Sequence, residues 1–119
     1  QPSRNKYQPI LNHALDFIKE NFTDPDMSLT WVAQQVALSP SHFSTIFSQS
    51  FNQTFIDYLT EQRIELAKKL LQQSDYRISD IAFEIGYNDP NYFSYLFKKK
   101  QGISPKEYRT QLFLKNKNN

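Results

Sequence analysis

The chain of 119 residues contains no cysteine, only two glycines and no apolar run long enough to cross a bilayer. Without cysteine there is no disulfide framework, no thiolate metal site and no thiol nucleophile. The lack of a charged-then-apolar leader and of a spanning segment predicts a soluble, cytoplasmic chain without membrane contact. Because the first residue is not methionine, we expect the chain to be part of a longer protein.

Apolar residues recur at spacings of three and four, which together with the scarcity of glycine predicts an all-α fold. The length is that of one domain with a real core. A helix ending near Phe22 is followed by the pattern of a first helix-turn-helix over residues 28–50. A long connector helix is predicted over 54–73.

Residues 78–101 carry the clearest pattern of a helix-turn-helix. Apolar residues at helical spacing lead to Gly86, which permits the positive φ that a sharp turn can need. Asp89 and Pro90 then supply an N-cap and a proline at the first helical position. We expect the second of these two helices to be a recognition helix, with Phe93, Leu96 and Phe97 buried.

The chain repeats itself at an offset of 49 residues, which becomes 50 after one inserted residue. At the offset of 50, the residues Pro40, Phe43, Ser44, Phe47, Asn52 and Tyr58 fall on Pro90, Phe93, Ser94, Phe97, Gly102 and Tyr108. Thr54 to Asp57 and Ser104 to Glu107 both have the pattern of a capping box. Asn52 and Gly102 both tolerate the left-handed conformation that ends many helices. The repeat indicates two copies of one binding subdomain.

Charge is distributed unevenly along the chain. Residues 98–119 hold seven basic residues and one acidic residue, whereas residues 1–97 hold seven basic and eleven acidic ones. A basic end can be a solubilising tail or an electrostatic footprint for nucleic acid. The three lysines at 98–100 follow the second recognition helix, which favours the footprint. Residues 39–50, in contrast, contain no formal charge.

Spaced motifs in the second repeat carry a family resemblance. They are Ile78-Ser79-Asp80-Ile81-Ala82, Gly86-Tyr87, Tyr92-Phe93-Ser94, Phe97-Lys98-Lys99, Gly102 and Ser104-Pro105-Lys106-Glu107-Tyr108-Arg109. They closely resemble the C-terminal signature of AraC/XylS-type transcription regulators. The first repeat also looks like that family, and the lead-in helix looks most like the version attached to response-regulator receivers.

The resemblance implies a domain of about seven helices with two helix-turn-helix subdomains that present recognition helices to the major groove of double-stranded DNA. A connector of roughly 18–20 residues spans about 27–30 Å, comparable with the roughly 34 Å between successive major-groove faces. The resemblance further implies the output domain of a bacterial regulator, an activator that contacts RNA polymerase. An N-terminal receiver or effector-sensing domain, with a possible homodimer through it, would lie outside this chain.

The family's DNA-facing positions can be carried onto this sequence. The residues expected to read bases are Ser41, His42, Ser44, Thr45, Asn91, Ser94 and Tyr95. Those expected to hold phosphates are Ser48, Lys68, Lys69, Lys98, Lys99, Lys100 and Arg109. Family members often place arginine where Thr45 and Tyr95 stand. Because residues 39–50 contain no arginine, bidentate reading of guanine by arginine is not available from the first recognition helix.

The resulting organisation is a linker remnant over 1–8, the DNA-binding domain over 9–113 and a polar tail over 114–119. A C-terminal helix is predicted over 104–113. Two alternatives to DNA binding come from other classes. A helical protein-interaction module would use the aromatic surface, but it does not explain why the repeat also reproduces the polar Ser44 and Ser94. An enzyme finds no support, because His13 and His42 lack metal-site spacing and no phosphate loop or cofactor motif is present.

Overall fold

The computed structural model describes residues 6–73 and 75–117, and within them the chain forms seven α-helices and no strand. The helices are α1 (Gln8–Asn21), α2 (Leu29–Gln35), α3 (Pro40–Phe51), α4 (Phe55–Gln73), α5 (Ile78–Glu84), α6 (Pro90–Gln101) and α7 (Pro105–Lys117). The predicted all-α class is confirmed. None of the described helices combines the length and the apolar character needed to cross a bilayer.

Two helix ends differ from the sequence prediction. Helix α7 continues to Lys117, past the end predicted at residue 113, because residues 114–117 contain neither glycine nor proline. Helix α1 begins at Gln8, within the predicted linker remnant, after Tyr7 as N-cap. Residues 1–5 of that remnant and residues 118–119 of the predicted tail lie outside the described residues.

The chain divides into two compact units, Gln1–Glu61 and Gln62–Asn119. In the first unit the core forms around Phe43 and Phe47 of α3, which are fully buried with ring centroids 5.7 Å apart. The other buried members of this core are Ala14, Ile18, Met27, Val32, Ala33, Phe55 and Leu59. Their burial leaves the polar residues of α3 on its outer side.

The second unit repeats this arrangement around Phe93 and Phe97 of α6, whose centroids are 5.9 Å apart. The surrounding buried residues are Ile64, Ala67, Leu71, Ile81, Ala82, Ile85 and Tyr87. Leu96, which was also predicted to be buried, is only half-buried and packs against this core. Arg63 is also buried, and its guanidinium lies 4.8 Å from the centroid of the Tyr87 ring. This cation–π contact gives the arginine a packing role within the unit.

The turn inside each helix-turn-helix has the same hydrogen bonds at equivalent positions. In the first unit, Ala37 N donates to Gln34 O and Leu38 N donates to Ala33 O, at 3.2 and 3.0 Å. In the second, the amides at 86 and 87 donate to the carbonyls at 83 and 82 over 3.2 and 2.9 Å. This is the Schellman arrangement, which requires a left-handed residue after the helix. Gly86 takes it with φ 111°, and Ala37 takes it with φ 59°.

Both recognition helices end in the same way, as the repeat predicted. Asn52 and Gly102 are left-handed C-caps with φ 54° and 87°. Ahead of α7, Ser104 N donates to Glu107 Oε1 at 3.0 Å and Glu107 N donates to Ser104 Oγ at 3.1 Å, which confirms the second capping box. These caps fix where α3 and α6 stop.

Candidate nucleic-acid interface

The first candidate surface is the outer side of α3. The helix starts at Ser39, whose Oγ accepts a hydrogen bond from His42 N at 3.1 Å. Ser41, His42 and Thr45 are exposed, whereas Ser44 and Ser48 are half-buried. Thr45 Oγ1 donates to Ser41 O at 3.1 Å, so its lone pairs and its methyl group are what it can offer outward.

The second candidate surface is the outer side of α6. Asp89 Oδ1 caps this helix by accepting from Asn91 N at 2.9 Å. Asn91, Tyr95 and Lys98 are exposed, and Ser94 is half-buried in the same way as Ser44. An exposed asparagine can pair bidentately with an adenine edge, and apolar or aromatic groups can contact a thymine methyl. The surface therefore presents polar and aromatic groups of the kind that read bases.

A row of tyrosines extends this second surface. Tyr92 lies edge-on to Tyr87 at 5.8 Å between centroids and stacks on Tyr95 at 6.4 Å. Lys99 Nζ lies 6.0 Å from the centroid of the Tyr95 ring. The sequence prediction missed Tyr92, which is 51% exposed. The repeat could have found it, since an offset of 50 places Tyr92 on His42, a predicted base-reading residue.

The predicted phosphate contacts fall into three environments. The lysines at 98–100 are exposed in the last turn of α6, where they also complement the helix dipole. Lys69 is exposed on α4, while Lys68 Nζ lies 3.0 Å from Glu65 Oε2 in an ion pair. Of these lysines, those at 98–100 are the ones that lie on a recognition helix.

Arg109 has partners within its own unit. Its Nε donates to Leu71 O at 3.1 Å and its Nη1 donates to Tyr76 O at 2.7 Å. The first of these carbonyls lies in the last turn of α4, where main-chain oxygens lack helical partners. Two donors of Arg109, a predicted phosphate contact, are thus engaged with carbonyls, and the bond to Leu71 O attaches α7 to the end of α4.

The resolved pKa shifts have structural causes. A hydrogen bond from the Ser104 backbone lowers the pKa of Glu107, a hydrogen bond from Arg77 lowers the pKa of Asp80, and burial raises the pKa of Tyr58. Among the residues that the structure describes, no three His, Cys, Asp or Glu side chains are grouped so that they could hold a metal ion. The candidate site therefore consists of the two contact surfaces on α3 and α6.

Comparison with known proteins relates the chain to transcription regulators. The profile of the helix-turn-helix domain family matches residues 32–111. The chain is 34% identical over 103 residues to the uncharacterised transcriptional regulatory protein YesN of Bacillus subtilis, covering 84% of this chain and 28% of the relative. It is 35% identical over 99 residues to the arabinose operon regulatory protein of Escherichia coli, covering 83% of this chain and 34% of the relative. The chain therefore spans about a third of the length of these relatives.

A solved structure shares both sequence and fold. The C-terminal domain of AraT, a response regulator from Geobacillus stearothermophilus, superposes with a TM-score of 0.85 at 36% identity. The match covers 87% of this chain and 86% of that one.

Proposed function

Since the chain belongs to the AraC-type helix-turn-helix domains of bacterial transcription regulators, we propose that it reads two adjacent major-groove segments of an operator, one with α3 and one with α6. The domain binds DNA in a sequence-specific way and acts by binding rather than by catalysis. The 19 residues of α4 give a helix of about 28 Å. That length supports recognised segments about one helical turn apart.

The observation that carries the proposal is the equivalence of the two units on their polar side. Ser44 and Ser94 are both half-buried at the same place between fully buried phenylalanines. Each helix begins with a capped N-terminus and proline and ends at a left-handed residue. A protein-interaction module would need only the apolar positions to repeat, so the repeated polar face favours two copies of one reading surface.

The proposed base-reading groups differ between the two surfaces. On α3 they are Ser41, His42, Ser44 and Thr45, which offer hydroxyl, imidazole and methyl groups. On α6 they are Asn91, Ser94 and Tyr95, to which the structure supports adding Tyr92. The first surface has no guanidinium to bind guanine O6 and N7, so its sequence preference should depend on single hydrogen bonds, methyl contacts and water.

The proposed phosphate contacts are centred on the second unit. The lysines at 98–100 supply most of the charge, with Ser48 on α3 and Lys69 on α4 as further contacts. Lys68 can take part by exchanging its partner Glu65 for phosphate. Arg109 stays a proposed contact as well, although two of its donors hold the carbonyls of Leu71 and Tyr76.

The wider role follows from the relatives. We propose that the chain is the output domain of a longer cytoplasmic regulator whose remaining part is a receiver or effector-sensing domain. AraT is a response regulator and this chain matches its C-terminal domain, which supports a receiver. Activation through RNA polymerase and dimerisation through the remaining part are proposed on family grounds alone.

Charge-introducing substitutions on the two faces test the proposal. Ser44→Glu and Ser94→Glu should each abolish specific binding, because a carboxylate facing phosphates and base acceptors is repelled. Gln34→Glu is the matched control, since Gln34 is exposed on α2 of the same unit and its equivalent, Phe83, belongs to neither proposed set of contacts. It should bind within a few-fold of the wild type in a fluorescence-anisotropy titration.

A second variant covers the case in which a glutamate at a half-buried site disturbs folding. Asn91→Asp adds a negative charge at an exposed position without changing size, and it lies in the first turn of α6, where an acidic group suits the helix. Its circular dichroism and melting temperature should match the wild type while its specific affinity is lost. Wild-type binding by both Asn91→Asp and Ser94→Glu would show that this face does not read DNA.

A further inference from the structure

The first recognition surface lacks cationic groups of its own. Residues 39–50 contain no Lys, Arg, Asp or Glu, whereas the last turn of α6 carries three lysines. Close approach of a helix to duplex DNA is normally accompanied by neutralised phosphates and released counterions. If α3 lies in a major groove, a cation that neutralises the neighbouring phosphates is not supplied by α3 itself.

Tyr7, the N-cap residue of α1, lies against this surface. The ring of Tyr7 contacts the ring of His42 edge-on, with centroids 5.7 Å apart and an interplanar angle of 89°. Tyr7 is half-buried and fixed at the start of α1, because its carbonyl accepts a hydrogen bond from the amide of buried Leu11 at 2.9 Å. His42 is exposed in the first turn of α3. The contact therefore joins the N-cap residue of α1 to the first turn of α3.

Lys6 stands beside this contact. Its Nζ lies 5.5 Å from the centroid of the Tyr7 ring, a distance at which the ammonium and the ring face attract each other. The side chain is exposed, so the charge is held at the Tyr7 ring without being withdrawn from solvent. Lys6 is thus a cation on the ring that contacts His42 of α3, a helix without a cation of its own.

The second unit has a ring contact at the equivalent position. The residue equivalent to His42 is Tyr92, whose ring is contacted by Tyr87 at 5.8 Å. In the first unit, the position equivalent to Tyr87 is occupied by Leu38, and Tyr7 from outside the repeat supplies the ring instead. Both units therefore support the same position with a tyrosine, and in the first unit that tyrosine brings a lysine with it.

From this geometry we propose that Lys6 and Tyr7 form a phosphate-contacting arm of the first recognition surface. Lys6 binds a backbone phosphate of the duplex, and Tyr7 holds the lysine and His42 in place. This inference rests on the proposed DNA binding by α3. It assigns a binding role to a segment that the sequence pattern alone marks as linker.

The salt dependence of DNA binding by the whole chain tests the arm. Lys6→Gln should flatten the slope of log K against log salt by about 0.9, the contribution of one phosphate contact. Raising the salt from about 50 to about 200 mM should therefore weaken DNA binding by Lys6→Gln roughly threefold less than it weakens binding by the wild type. The change should affect operator and unrelated duplex alike, because a phosphate contact carries no sequence information.

Two further variants separate the arm from a general charge effect. Lys19→Gln removes an exposed lysine from the other end of α1 and should leave the slope unchanged. Tyr7→Phe keeps the ring and should bind like the wild type. Tyr7→Ala removes the ring and should reproduce the flattened slope of Lys6→Gln.

The outcomes distinguish this inference from the function on which it rests. A wild-type slope in Lys6→Gln, with the operator still bound, overturns the arm and leaves DNA binding by α3 intact. A slope lowered equally by Lys19→Gln overturns it as well, because the effect would then come from net charge. If the wild-type chain binds no duplex at all, the proposed function fails first.

Discussion

Replacing Ala37 by glycine should stabilise the first unit. Ala37 is the left-handed residue of the turn between α2 and α3, with φ 59°, whereas the equivalent residue of the second unit is Gly86 with φ 111°. An L-residue in this region brings its β-carbon too close to the following carbonyl oxygen. Glycine has no β-carbon, so the same turn forms without that strain.

The size of the effect follows from two opposing terms. The left-handed conformation costs a non-glycine residue about 1–2 kcal/mol. The greater freedom of glycine in the unfolded chain offsets about 0.4–1 kcal/mol of that gain. Because the side chain of Ala37 is exposed, no buried area is lost. The net stabilisation should be about 0.5–1 kcal/mol, or roughly 2–8 °C in melting temperature for a domain of this size.

The only tryptophan of the chain makes the measurement specific to the first unit. Trp31 lies in α2, and its ring contacts Phe17 edge-on with centroids 5.1 Å apart. Its fluorescence during urea unfolding should show a higher midpoint for Ala37→Gly than for the wild type. Ala33→Gly is the control, since Ala33 is buried and helical, and its midpoint should fall.

The result that would refute this reasoning is an unchanged or lower midpoint for Ala37→Gly.

The reciprocal change, Gly86→Ala, puts a β-carbon into the equivalent turn and should destabilise the second unit by more than about 1 kcal/mol. Circular dichroism should detect this loss.

Three further predictions concern the second unit. Phe93→Ala removes a fully buried aromatic ring and should cost about 3–5 kcal/mol, so its loss of DNA binding should come with a lower melting temperature. Replacing the lysines at 98–100 by glutamine should flatten the salt slope by up to about three; an unchanged slope would move the phosphate clamp to Lys68 and Lys69. The pKa of Glu107 is lowered in the folded state. Its carboxylate therefore stabilises the fold at pH values above the ordinary pKa of 4.5, and this contribution is lost as the pH falls through the lowered pKa of the folded state. Glu107→Gln should therefore lose less stability on acidification, as measured by urea midpoints at a series of pH values.

The helices and most of their ends could be predicted from the sequence because their signals act over a few residues. Apolar spacing placed α3 and α6, and the cap residues after each of them were identified by their tolerance of positive φ. Ala37 was missed, since an alanine gives no turn signal by itself. The repeat held the information, because the offset of 49 aligns Ala37 with Gly86.

The candidate site was harder to predict from the sequence, because its contacts join residues that are distant along the chain. Nothing local connects Tyr7 with His42, and only folding brings their rings together. Arg109 looked like a phosphate contact by charge and position. Its hydrogen bond to Leu71 O, 38 residues away, could not be predicted from the sequence, because only folding brings the two groups together.

Selection of bound duplexes from a random library, at a stated salt concentration, tests the central claim most directly. The two recognition faces differ, with Thr45 and His42 on α3 where Tyr95 and Tyr92 stand on α6. The account predicts a non-palindromic site with two recognised segments about 10 base pairs apart. A single short segment, or a palindrome bound by one copy of the chain, would contradict it.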